Sequence, residues 1–294
     1  MYSATSNLDL NSPMEISARS KNILERIVEV RRESIAHRKR ALPEAALRMA
    51  AEKKVAPPRD FASALTGTGL RIIAEMKKAS PSRGVIRANF LPALLAAGFE
   101  NAGAAALSVL TEEDFFSGSL ADLKEASRVT KIPILRKDFI LDPWQVWETR
   151  AADADSFLLI ASVLDDHIFR ELVALGRSLK MEPLVEVHSR GELERVLSSG
   201  AHIIGVNNRD LQDFSVHLKT SLELIQDIPE DCIAVSESGL RTVEDLVQLS
   251  EAGFDAFLIG EHFMKQDDPG QALRILIQQC AVESSGRSND ETQW

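Results

Sequence analysis

An α/β chain closed as a (β/α)8 barrel, the TIM-barrel class, with additional N-terminal helices is what three features of these 294 residues predict. Past Gly69, eight short apolar runs begin about every 20–35 residues, the number of parallel strands that closes a barrel. The segments between them carry apolar residues at helical spacing. The runs are apolar throughout instead of alternating, as strands covered on both faces are. A doubly wound sheet fits less well, because no first strand opens into a glycine-rich nucleotide loop.

Taken in order, residues 1–19 are polar and without period, which predicts a disordered N-terminus, and the polar stretch 284–294 predicts a disordered tail. Between them, residues 20–283 read as one barrel domain that includes a helical extension over 20–56. In that extension Ile23, Leu24, Ile27, Val28 and Ile35 recur with helical spacing, and "LPEAALRMAA" predicts a second helix with Pro43 near its start. "APPRDF" ends the helical stretch. The strands are "RIIAEM", "AALSVL", "IPILRK", "SFLLIA", "EPLVEV", "HIIGVN", "CIAVSE" and "DAFLIG". Helices are expected over 90–102, 119–130, 142–152, 165–179, 189–199, 219–227 and 242–252. Asp165 and Asp166 stand where a helix cap is needed.

Bulk composition narrows the function. With 34 basic against 44 acidic residues the net charge is −10, which argues against nucleic acid as a partner, since phosphate-backbone binding needs a basic face. The longest apolar run, "FLLIASVL", is too short to cross a bilayer, and the N-terminus lacks a signal-peptide layout. Cys232 and Cys280 fit no zinc or redox spacing and suit a reducing compartment. These observations point to a cytoplasmic protein, a monomer with no obligate protein partner and no membrane contact.

The strand ends carry the chemistry. Side chains alternate along a strand, so Ile73, Glu75 and Lys77 share one face of the first. The same parity puts Leu135, Lys137 and Phe139 together on the third, Leu184 with Glu186 on the fifth, and Ile203, Gly205, Asn207 and Arg209 on the sixth. Glu237 ends the seventh. In a barrel all of these can converge at the C-terminal mouth, where lysines and carboxylates tune one another for proton transfer. After strands seven and eight, "SESGL" and "LIGEHFM" place Ser238-Gly239 and Gly260-Glu261 just before helix starts, where barrels bind phosphate through backbone N–H groups. Other candidates carry blander readings. His37, His167, His188, His202, His217 and His262 form no ligand spacing and read as surface or loop residues. The basic run over 31–40 reads as a solvated helix face.

In this order, "IIAEMKKASPSRG", "ALSVLTEEDFFSGS", "ILRKDFILDPWQ", "LLIAS", "PLVEVHS", "IGVNNRDL", "VSESGL" and "LIGEHFM" resemble the indole-3-glycerol phosphate synthase family, from about Ile23 to Ile277. The resemblance implies ring closure of 1-(2-carboxyphenylamino)-1-deoxyribulose 5-phosphate with loss of carbon dioxide and water, without metal or organic cofactor. It implies that Lys137 is the general acid, that Glu186 stabilises the iminium, and that Glu75 and Lys77 serve the dehydration. By the same resemblance, Asn207 and Arg209 hold substrate oxygens, Ser80 rides on the first loop, and Glu237 stands behind the reacting groups. Phe116, Phe139, Leu158 and Ile160 form the slot for the aromatic ring, and Ser238, Gly239, Gly260 and Glu261 take the phosphate. Two residues depart from the family pattern. Glu261 stands where some members have serine, and Asp153 where a glycine usually closes the third helix of the barrel. Two alternatives stay open, a Schiff-base aldolase-type barrel using Lys77 or Lys137 and a phosphate-binding barrel without catalysis.

Overall fold

The structure is a computed structural model that describes residues 22–210 and 215–290, without the side chains of 284–290. The reading of 1–19 as disordered lies outside these residues. Eight strands form a closed parallel barrel: β1 (Arg71–Met76), β2 (Ala106–Leu110), β3 (Ile134–Lys137), β4 (Ser156–Ile160), β5 (Leu184–Val187), β6 (Ile203–Asn207), β7 (Ile233–Glu237) and β8 (Ala256–Ile259). Each pairs with its sequence neighbours, and β8 returns to β1 with Arg71 opposite Ala256. All eight apolar runs are strands, trimmed by at most two residues at an end.

The barrel interior is the face that parity predicts. Ile73, Leu135, Leu184, Ile203, Val235 and Leu258 form an inner apolar cluster. The opposite strand faces, with Ile72, Leu107, Phe157 and Val185 among them, pack against the surrounding helices. Phe61 and Leu65 join the inner cluster from a short helix, α3 (Phe61–Leu65), capped by Asp60. The sequence reading ends the helical stretch at "APPRDF" and has no helix here. Five residues show no period, and this one is held by burial of its two large apolar side chains.

Two helices precede α3. Helix α1 (Ile23–Ala41) opens with a capping box between Asn22 and Glu25, and α2 (Glu44–Glu52) begins after Pro43. They pack on α6 (Pro143–Ala151), where Ile35, Leu47 and Ala51 meet Trp144 and Trp147. Here the structure corrects the solvated-face reading of the basic run. Arg31 is 1% exposed and donates to Asp138, Arg38 pairs with Glu148, and Lys39 with Asp142. Their partners lie more than a hundred residues on, so no local pattern could reveal them.

Between strands the helices are α4 (Pro92–Ala102), α5 (Leu120–Val129), α6, α7 (Asp166–Ser178), α8 (Arg190–Ser198), α9 (Lys219–Leu224) and α10 (Val243–Glu251). Asp165 caps α7 by accepting from His167 N and Ile168 N. After α6, Asp153 takes the left-handed conformation at φ +66° that a glycine would adopt without strain, and Lys54 of the extension pairs with it at 2.6 Å. A one-turn helix α11 (Glu261–Met264) and a long α12 (Pro269–Asp290) close the chain. The helix α12 runs six residues past Ser284, where the sequence reading starts a disordered tail. Once nucleated, a helix extends at little cost through residues with no apolar face. Among the described residues no helix is long and apolar enough to cross a membrane.

Candidate active site

The charged strand residues that point inward at the mouth come from alternate strands. β1 supplies Glu75, β3 Lys137, β5 Glu186 and β7 Glu237, the odd-numbered set that fills one layer of an eight-stranded barrel. The even strands leave room for them. A Cβ on Gly205 of β6 would meet Glu237 Oε1 at 2.2 Å, and one on Gly260, next after β8, would meet Glu75 Oε2 at 2.1 Å.

Lys137 Nζ donates to Glu186 Oε2 at 2.9 Å and to Glu237 Oε2 at 2.7 Å. Asn207 Nδ2 donates to the other Glu186 oxygen at 3.0 Å, and Arg209 N donates to Asn207 Oδ1. Lys77 Nζ reaches Glu75 Oε2 at 2.5 Å. Above this layer lies a cavity of about 130 Å³. It is lined by Glu75, Lys77, Lys137, Glu186, Asn207 and Arg209, though not by Glu237, and by Ser80, Phe116, Phe139, Leu158, Ile160 and Ser238. The rings of Phe116 and Phe139 sit 6.3 Å apart and form an apolar wall.

Burial and mutual charge set the protonation states. Burial pulls the Lys137 ammonium toward neutrality, but the charges of Glu186, Glu237 and Glu75 outweigh it and hold the proton more tightly than in water. Glu186 is opposed by burial and lowered on balance by Lys137 and His188, so it stays ionised. Glu237 goes the other way. Burial, reinforced by the charges of Glu186 and Glu75, pushes it up to about 7 despite Lys137. Its Oε1 is buried and makes no hydrogen bond.

A raised carboxyl pKa makes the folded state take up a proton that the unfolded chain has lost. Glu237 therefore costs nothing below its ordinary value, and a penalty grows as pH rises toward 7. Glu237→Gln cannot ionise and escapes that penalty. Its thermal midpoint, read against the parent by calorimetry, is expected to gain progressively between about pH 5 and pH 8. A gap that is flat or narrows with pH would mean that Glu237 is ionised throughout.

Phosphate-loop geometry differs in part from the expectation. Gly260 caps α11 directly, but Leu240, Arg241 and Thr242 separate Gly239 from the start of α10 at Val243. Ser238 and Gly239 both have positive φ, +64° and +82°, and a Cβ on Gly239 would meet Val216 at 2.4 Å. That turn is fixed by the close approach of the β6 loop, so glycine is required for space as well as for φ. Gly239, Gly260 and Glu261 line a second cavity of about 250 Å³, shared at one side with the first through Arg209 and Glu261. Around it stand Arg83, Arg209, Arg241 and Lys265. Glu261 pairs with Lys265 at 2.6 Å, Arg83 at 3.3 Å and Arg209 at 3.7 Å, so its carboxylate is a counter-ion to the cations of this pocket.

Several groups escaped the sequence reading, Arg241 and Lys265 of the basic pocket among them. His188, taken there as a surface or loop residue, has Nε2 3.4 Å from Glu186 Oε1 and Nδ1 3.5 Å from Glu192 Oε2. Burial alone would lower its pKa, but those carboxylates raise it. Strand parity could have found it, since it lies two residues after Glu186. Arg83 belongs to the first loop, where Ala79–Ser80 pairs antiparallel with Gly84–Val85, and nothing in "SPSRG" marks it as facing Glu261. Asp138 lines the cavity although parity points it outward, and it is held by a partner on α1.

A family model described as Indole-3-glycerol phosphate synthase matches residues 24–276. A relative of the same description from Albidiferax ferrireducens is 47% identical over 260 residues, 87% of this chain and 98% of its own length. Another, from Burkholderia vietnamiensis, is 43% identical over 256 residues, 86% of this chain and 97% of its own. Among solved structures, 3-hexulose-6-phosphate synthase from Salmonella typhimurium superposes at a TM-score of 0.57 with 10% identity, covering 72% of this chain and 100% of that one, a likeness of fold alone. With the family match running from α1 to α12 and relatives near half identity along almost their whole length, this chain belongs to the indole-3-glycerol phosphate synthase family.

Proposed function

We propose that this protein closes the pyrrole ring of indole-3-glycerol phosphate from 1-(2-carboxyphenylamino)-1-deoxyribulose 5-phosphate, releasing carbon dioxide and water, a step of tryptophan biosynthesis. The observation that carries this reading is an ammonium, Lys137, held between two carboxylates on the floor of a cavity walled by Phe116 and Phe139. The substrate's aromatic ring lies against that wall. Lys137 delivers its proton to the ribulose carbonyl oxygen, and the ring carbon that bears the carboxylate attacks the carbon so activated. Glu186, kept ionised by Lys137, faces the iminium that develops on the ring nitrogen. Carbon dioxide then leaves with its electron pair returned to the ring. Loss of the hydroxyl as water needs one proton given and one taken, which Lys77 and Glu75 supply as a paired acid and base.

Lys137 holds its proton too tightly to be a good acid while three carboxylates surround it. Glu237 offers the adjustment. When it is neutral, which its pKa of about 7 permits, one counter-charge disappears and the ammonium gives up its proton more readily. Asn207 and Arg209 hold substrate oxygens, and Ser80 Oγ, buried without a hydrogen bond, is a further group for the substrate to satisfy. The phosphate occupies the basic pocket between Gly239 and Gly260, with Glu261 contributing its backbone N–H and serving the cations as counter-ion. A Schiff-base lysine would have to be neutral to attack a carbonyl, and the charge around Lys137 opposes that.

Turnover of the anthranilate-ribulose phosphate, followed by indole fluorescence and undiminished by a metal chelator, tests this reading. Covalent trapping of substrate by borohydride would replace it with the aldolase reading. Inorganic phosphate at millimolar concentration is expected to compete with substrate. Crystals soaked in it should show the anion between Gly239 and Gly260, and density found only elsewhere on the barrel would remove the phosphate assignment. We further propose that the protein is cytoplasmic and monomeric, and light scattering checks the oligomeric state.

A further inference from the structure

Helix α1 lies outside the barrel, yet it delivers a charge to the strand residue next to Lys137. Asp138 is fully buried at its side chain, and four residues donate to it. Its Oδ2 accepts from Arg31 Nη2 at 2.5 Å, from Thr111 Oγ1 at 2.5 Å and from Arg136 Nη2 at 3.0 Å and Nε at 3.3 Å, while Oδ1 accepts from Phe139 N at 2.8 Å. Thr111, just past the end of β2, also donates its N–H to the carbonyl of Lys137 at 3.0 Å. The backbone that leaves Lys137, from its own carbonyl to the N–H of Phe139, is therefore tied through one threonine and one carboxylate.

Arg31 is an expensive way to bury a helix face. It is 1% exposed, and its Nε and Nη1 make no hydrogen bond, so a desolvated guanidinium is held by a single contact with Asp138. Buried ion pairs are on average no more stabilising than apolar residues of the same volume. Asp138 already has Arg136 as a counter-ion, and Glu148, which shares Arg136, has Arg38 as well, so charge balance does not call for Arg31. What Arg31 adds is direction: it is the one donor of the four that comes from the N-terminal extension.

We propose that Arg31, acting through Asp138, is a positioning residue for Lys137, and that this contact is how the helical extension serves catalysis. The proposal rests on the reading of Lys137 as the acid of ring closure. Strand β3 ends at Lys137; the far part of the turn beyond it is held by Gln145, which donates to Phe139 O and accepts from Leu141 N, and the near part, at Asp138, by Arg31, Thr111 and Arg136. Arg31 pins that turn from outside the barrel while Phe139 and Lys137 point into it. A displacement of about 1 Å at a reacting group can cost on the order of a hundredfold in rate.

The test is a double-mutant cycle on turnover with Arg31→Met and Lys137→Met, in the full chain. Arg31→Met is expected to lower kcat by roughly 10- to 100-fold with KM changed less than about threefold. In the Lys137→Met background the same substitution should have no further effect, because the group that it positions is gone. An equal loss in both backgrounds, or a kcat within about threefold of the parent, would overturn the proposal and leave Arg31 a structural residue. If Arg31→Met does not fold, Arg31→Lys keeps the charge on a stem without the planar fork. It is expected to show a smaller loss that again disappears without Lys137, and a loss that persists there counts equally against the proposal. Failure of the unmodified chain to turn over the substrate would instead defeat the functional reading, so the two failures are separable.

Discussion

Lys137→Met is expected to turn over about 10²–10⁴ times more slowly than the parent, the usual share of a positioned acid, with a much smaller change in KM. Methionine keeps the length of the stem and removes the proton, and the aromatic wall and basic pocket that bind the substrate are untouched. Taken from sequence, Lys137 is one of several crowded rim charges, and removing it should leave the thermal midpoint unchanged or raise it. The structure reverses that expectation. Lys137 is the counter-ion of Glu186 and Glu237, both nearly inaccessible to water, and without it these carboxylates must protonate or stay buried and unpaired. The variant should lose stability as pH rises from about 5 to 8, since Glu186, now ionised, loses the ammonium that keeps its pKa low. Steady-state kinetics and a melting series against pH read both effects. Turnover within about threefold of the parent would transfer the acid role to Lys77.

Deleting residues through Arg40 is expected to abolish activity and to lower folding stability by about 3–5 kcal/mol, the range for breaking a buried ion pair. The deletion takes Arg31 from Asp138, Arg38 from Glu148 and from above the Trp144 ring, and Lys39 from Asp142. It also uncovers the apolar contact of Ile35 with Trp144 and Trp147. Removing residues before Met14 should leave turnover intact, as that stretch has no apolar face to bury. Denaturant unfolding and the fluorescence assay measure both truncations, and an active chain beginning at Ala41 would show the helix to be dispensable.

Strand parity made much of the site legible in the sequence. Glu75, Lys137, Glu186 and Asn207 could be placed at the mouth because each lies two residues beyond an inward neighbour, and period 2 needs no long-range information. The eight strands were legible because burial on both faces leaves them apolar throughout. Contacts between distant segments were not legible. Arg31 shares its composition with any basic helix face, and only the barrel brings Asp138 against it. Glu261 similarly reads as a phosphate contact from its place after Gly260, and shows itself as a counter-ion only when the first loop sets Arg83 beside it. The division of labour between Glu186 and Glu237, one ionised and one titrating near neutrality, depends on burial and on which oxygens find donors.

The alternation of strands that supplies the floor of the site also constrains how the chain can be assembled. Glu75 and Lys137 belong to the first four strands, Glu186 and Glu237 to the last four. A chain with only its first half in place holds an ammonium without the two carboxylates that bond it, and the second half holds two carboxylates without their cation. Neither half contains a miniature of the site that could mature by itself. Glu237 owes its raised pKa to burial and to the charge of Glu186 beside it, so folding near neutral pH is accompanied by partial uptake of a proton from solvent.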